Sequence, residues 1–139
     1  VWFLAHGTPT SMQLEGKCKI KNRDLDDLAD LLQKKLAKDA HVVLYSCSTG
    51  KEIASEDNIA TKFSKILPGR TIWAPKSPTG IMTLDVGNDF SMKINFWEPK
   101  TRLKYLLEKI RNMCCLCPLK KIELDLNVTA QVKDGIVLT

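Results

Sequence analysis

Two side chains stand where apolar runs stop. His6 follows Val1-Trp2-Phe3-Leu4-Ala5 and precedes Gly7. Cys47 follows His41-Val42-Val43-Leu44-Tyr45-Ser46 and opens the stretch Ser48-Thr49-Gly50. A thiol becomes a strong nucleophile when a nearby base takes its proton, and an imidazole is the usual base. Acyl transfer by such a pair also needs donors for a developing oxyanion. Gly7 has no side chain, so its N–H can come close to a substrate. The Cys47 N–H sits at the start of a turn, and these two amides are the expected oxyanion hole. Gly50 and the small Ser48 and Thr49 leave room for a peptide backbone, and Ser46 and Ser48 are candidate substrate-binding residues. Asp85 is a candidate wall for a basic side chain, as are Asp89 and Glu98, although all three also suit ordinary surface turns.

Other residues that do chemistry elsewhere have plainer readings here. His41 opens its strand, at the end away from Cys47, and reads as a structural or surface histidine. Cys114, Cys115 and Cys117 are crowded together, with Cys18 far away in sequence. Adjacent thiolates are poorly placed for one tetrahedral metal site, so no metal site is expected. They read as reduced thiols at a helix end, with S-acylation as the other chemistry open to them. The stretch 46–51 lacks the first glycine of a phosphate loop, and Glu52 stands where Ser or Thr would bind magnesium.

The elements that must hold His6 and Cys47 can be read from periodicity. Residues 1–5 and 41–45 are short apolar runs of the kind found in buried parallel strands. Between them, 8–22 mixes Pro, Gly, Ser and Lys and is expected to be a loop. Residues 23–38 carry Leu25, Leu28, Leu31, Leu32 and Leu36 at helical spacing, with acids first and lysines last. Residues 55–67 predict a second helix, with Ser55 as its cap and Pro68-Gly69 as its stop. Residues 70–74 predict a third strand. This strand-helix-strand-helix-strand order implies parallel pairing through right-handed crossovers. Ligands of open α/β sheets bind at the carboxyl ends of the strands, where His6 and Cys47 both lie. Beyond Pro75, 80–84 and 90–96 predict a hairpin around Val86-Gly87-Asn88-Asp89. A third helix is expected over 101–113, then a half-exposed strand over 122–132 that turns back at Lys133-Asp134-Gly135 into 136–138.

The chain has 139 residues, one domain's worth, with a net charge of +5 and five cysteines. No run approaches the ~20 apolar residues of a membrane span. The basic excess is scattered among acids, which argues for a solvated surface and against a nucleic-acid partner. An odd, crowded cysteine set and the lack of a leader-like start point to a cytoplasmic-type reducing compartment. The chain opens on a strand-like run without Met, and reads as a piece of a longer or processed protein. Oligomeric state is not legible.

The two blocks, Val1–Gly7 and His41–Cys47, resemble the signature of the clan CD cysteine peptidases, the group of caspases, separase, gingipains, clostripain, the self-cleaving domains of bacterial toxins and the CHAT domains. That signature is an apolar block ending in His-Gly and, later, an apolar block ending in a small residue and Cys; their separation here, about forty residues, is similar. Ser46-Cys47-Ser48-Thr49-Gly50 is most similar to CHAT-type and bacterial caspase-like sequences. The resemblance covers roughly the first seventy-five residues. It implies a caspase-like three-layer sandwich over 1–139, with a mainly parallel central sheet, helices on both faces and a hairpin-rich second half. It implies peptide-bond hydrolysis on a protein or peptide substrate, with Cys47 as nucleophile, His6 as proton acceptor and donor, and Gly7 and Cys47 amides at the oxyanion. An inactive binding module on the same scaffold is the alternative. No metal or other cofactor is implied. A toxin or effector self-processing domain, acting in a host cytosol, would add an inositol phosphate as polyanionic activator. Family members usually place a strand and a helix before the His-bearing strand, whereas this chain begins at that strand.

Overall fold

The computed structural model describes residues 1–14, 18–79, 81–89, 91–97 and 127–138. In chain order these form β1 (Trp2–Leu4), β2 (His6–Thr8), β3 (Ser11–Gln13), β4 (Lys19–Lys21), a single 3-10 turn (Asn22–Asp24), α1 (Leu25–Lys35), β5 (His41–Tyr45), α2 (Ile59–Ile66), β6 (Thr71–Pro75), β7 (Ile81–Val86), β8 (Met92–Trp97), β9 (Thr129–Lys133) and β10 (Ile136–Val137). The predicted helix over 101–113, the cysteines at 114, 115 and 117, and Glu98 lie outside the described residues.

The chain is α/β, built on a mixed five-stranded sheet of order β1-β5-β6-β9-β10. β1, β5 and β6 run parallel, as the alternation of strands and helices predicts, because parallel neighbours need a long crossover. β9 then pairs antiparallel with β6, and β10 with β9, so the sheet is half parallel and not mainly parallel. The β9–β10 turn explains its own direction: Asp134 and Gly135 have φ of 49° and 80°, the paired positive angles of a tight hairpin turn.

One face of this sheet carries both described helices. Leu28, Leu32 and Leu36 of the α1 region and Ile59, Phe63 and Ile66 of α2 pack against Val42, Leu44, Ile72 and Val132. The opposite face is covered by a strand pair, not by a helix, among the described residues. Val43 and Trp73 point that way and meet Ile94 and Phe96 of β8. The β7–β8 hairpin forms a two-stranded sheet of its own, in register from Ile81↔Trp97 to Val86↔Met92, as the sequence predicts. The described layers are therefore helix, sheet and hairpin.

Three local expectations change. Residues 8–22 are not a loop: β2, β3 and β4 make a small meander in which Met12 pairs with Ile20, and Met12 is fully buried against the helical side of the core. Each strand there is three residues long with at most one large apolar side chain, too short for alternation to show. β1 is not buried. Trp2 and Leu4 are 53% and 74% exposed, and Phe3 alone turns inward onto Phe63, ring centroids 5.4 Å apart. The cap of α2 is Asn58, whose Oδ1 accepts from Thr61 N at 2.9 Å, and not Ser55.

Candidate active site

β1 and β5 are the neighbours that the chemistry requires. Their parallel register sets Phe3 beside Leu44 and Leu4 beside Tyr45, and the Ala5 N–H adds one more rung by donating to Tyr45 O at 3.2 Å. Both chains leave the sheet at this same end. His6 begins β2, and Cys47 begins the turn that follows β5.

Gly7 shows how closely the two segments meet. A Cβ built on it would fall against Ser46 Oγ, 2.7 Å from the Cys47 carbonyl oxygen and 3.0 Å from the Thr49 methyl group. The backbone after His6 thus packs directly on the turn that holds Cys47, which a side chain at position 7 would prevent. His6, Ser46 and Cys47 all line one cleft of about 730 Å³, with His6 exposed and Cys47 half-buried.

The Cys47 turn is tied down on every side. Ser46 N–H donates to Leu44 O at 2.9 Å, Ser48 N–H to Ser77 O at 3.3 Å and Gly50 N–H to Pro75 O at 2.9 Å. Thr49 is fully buried, and its hydroxyl donates to Ser46 O at 2.8 Å. Ser48 takes φ of 59°, a left-handed conformation that costs a non-glycine residue energy. Strained backbone of this kind clusters at functional sites of proteins in general. The Cys47 N–H makes no hydrogen bond among the described residues, and Ser46 Oγ, in a residue 1% exposed, has no partner there either.

The start of α2 joins the two segments from below. Ile59 N–H donates to Pro9 O at 2.7 Å, in the turn after β2, and Ala60 N–H donates to Thr49 O at 3.1 Å, in the Cys47 turn. These are amides of a helix's first turn, which have no partner within their own helix. One helix end therefore holds both loops.

The remaining expected residues are placed as follows. Ser46 lines the cleft; Gly7 packs on Ser46 and Cys47, and Ser48 is not among the lining residues. Asp85 is on the exposed hairpin opposite Lys93, accepts from Asn95 Nδ2 at 3.3 Å and does not line the cleft. Asp89 closes the hairpin turn, where hydrogen bonds from Ser91 hold its carboxyl below the usual range. His41 lies at the far end of β5, where its Nδ1 accepts from the Trp73 indole at 2.9 Å, and burial lowers its pKa. Cys18 and Cys47 are free thiols, and no group of three metal-ligating side chains occurs among the described residues. No described helix is long and apolar enough to cross a membrane. The cleft also recruits Gln13, Leu14 and Thr79. Nothing local in the sequence marks them, because they come from the meander and from the segment after β6.

A family model described as a domain of unknown function, DUF8616, matches residues 3–89. That is well over half of the 139-residue chain, and the chain belongs to this family. The match runs from β1 to the β7–β8 turn, so His6 and Cys47 both lie inside it. Searches of curated proteins and of solved structures found no match.

Proposed function

We propose that the protein is a cysteine peptidase of the caspase-like kind, with His6 and Cys47 as its dyad. The observation that supports this best is the shared cleft, with Gly7 packed against the carbonyl of Cys47. His6 takes the proton from Cys47 Sγ, and the thiolate attacks the scissile carbonyl carbon. The oxyanion is met by the Gly7 N–H and by the Cys47 N–H, which has no partner among the described residues. The tetrahedral adduct collapses, the C–N bond breaks, and His6 delivers its proton to the leaving amine. Water, deprotonated by His6, then attacks the thioester and releases the acid. The finer fold that belongs with this reading is the three-layer caspase-like sandwich.

The experiment is the paired substitution Cys47→Ala and His6→Ala, assayed by peptide hydrolysis and by covalent thiol labelling. Both variants should stay folded by circular dichroism, and hydrolysis should fall by about a thousandfold or more. Full cleavage by Cys47→Ala would remove the assignment. Hydrolysis absent from the parent, with a Cys47 no more reactive than a free thiol, would leave a binding module on the same scaffold.

A further inference from the structure

Resting on the peptidase reading, we infer that the cleft accepts an uncharged, apolar side chain at the residue before the scissile bond. The apolar part of the cleft lining is Leu4, Ala5 and Leu14, with Tyr45 beside them. Its uncharged polar members are Ser46, Gln13 and Thr79, and the Thr79 hydroxyl already donates to Trp97 O at 2.8 Å.

Charge decides the substrate class. In this cleft a carboxylate would be held by an Arg or Lys, and a guanidinium or ammonium by an Asp or Glu. Neither occurs in the described lining, where His6 and Cys47 are the reacting pair themselves. Asp85, which the sequence suggested for a basic side chain, sits on the hairpin and accepts from Asn95. A charged side chain finds no partner in that described lining, whereas a branched or straight aliphatic chain covers surface of Leu4, Leu14 and Tyr45. The cleft volume, about 730 Å³, is within the range of sites that take a side chain and adjoining backbone together.

The test is a set of electrophilic peptide probes, identical except for Leu, Met, Asn, Asp or Arg next to the electrophile. The rate of Cys47 modification on the whole chain is followed by mass spectrometry, with iodoacetamide as a probe that needs no peptide recognition. The Leu or Met probe should react at least tenfold faster than the Asp, Arg and Asn probes. Leu4→Glu changes a residue that lines the cleft but is 74% exposed, so the fold tolerates it. It should shift the Arg-to-Leu rate ratio toward Arg by at least tenfold. If the Asp, Arg or Asn probe is fastest while His6→Ala abolishes labelling, the peptidase reading stands and the specificity inference fails. An Arg-to-Leu ratio unmoved by Leu4→Glu also overturns the inference. If no peptide probe outruns iodoacetamide and His6→Ala changes nothing, both fall together.

Discussion

At position 7 there is no space for a methyl group. The nearest obstacles are a buried hydroxyl, on Ser46, and a backbone carbonyl, on Cys47, and the carbonyl cannot swing aside as the end of a flexible side chain would. Gly7→Ala should therefore force β2 away from the Cys47 turn, at a cost of about 1–3 kcal/mol. The same shift should slow peptide-probe labelling of Cys47 by more than tenfold. Urea denaturation and labelling rates check the two halves separately, and parental values in both would refute the close packing. In the Cys47 turn itself, Ser48 holds a left-handed conformation that glycine adopts freely. Ser48→Gly should raise stability by up to about 1 kcal/mol, and Ser48→Val should lower it. A melting series of the two variants reads the sign directly.

Helix ends do much of the positioning. The first turn of α2 holds the loops of both candidate catalytic residues, and the last turn of α1 is closed by a residue far away in sequence. Arg70 is 4% exposed; its Nε donates to Ala37 O at 2.9 Å and its Nη2 to Gln33 O at 3.1 Å and Leu36 O at 2.6 Å. A guanidinium here satisfies the carbonyls that a helix C-terminus leaves open and meets the negative end of its dipole. The sequence places Arg70 at the start of a strand and says nothing of this role, since the partners lie more than thirty residues earlier. Arg70→Met keeps much of the packing volume but removes every donor. It should cost about 3 kcal/mol, with the loss concentrated in exchange protection of α1. Amide hydrogen exchange would show it, and an α1 as protected as in the parent would contradict the cap. By contrast, the amphipathic stripe of α1 was legible without any structure, because its spacing is a local property.

For the molecule as a whole, stability should depend on pH through His41. Its Nδ1 accepts from Trp73, a residue 4% exposed, so the folded state holds the neutral imidazole, and burial sets its pKa below the usual 6.5. Above about pH 6.5 the ring is neutral in both states and the contribution is complete. As pH falls below that, the unfolded chain takes up the proton first, so stability declines until the folded pKa is passed. His41→Gln keeps an acceptor for the indole and removes the titration. The parent should lose more melting temperature than this variant between pH 7.5 and 5.0; equal losses would show that His41 is not the sensor. On the face away from the helices, Val43 and Trp73 pack with Ile94 and Phe96 of the hairpin and with the partly buried Tyr45 and Val128, in a cluster smaller than the helical one.

What the amino-acid order determined by itself is whatever depends on near neighbours. Apolar runs stop at His6 and at Ser46-Cys47, leucines recur at helical spacing, and the turns at Gly87 and Asp134-Gly135 announce hairpins. Strand neighbourhood, register and facing are long-range facts. Nothing in residues 1–5 says that β1 would stand at the edge of the described sheet, or that Leu4 would pair with Tyr45. Nothing in 8–22 says that three short strands would bring Gln13 and Leu14 to the cleft. The tertiary structure decided these, because a short segment's place is chosen by the surfaces it can bury against, and those are supplied by residues distant along the chain.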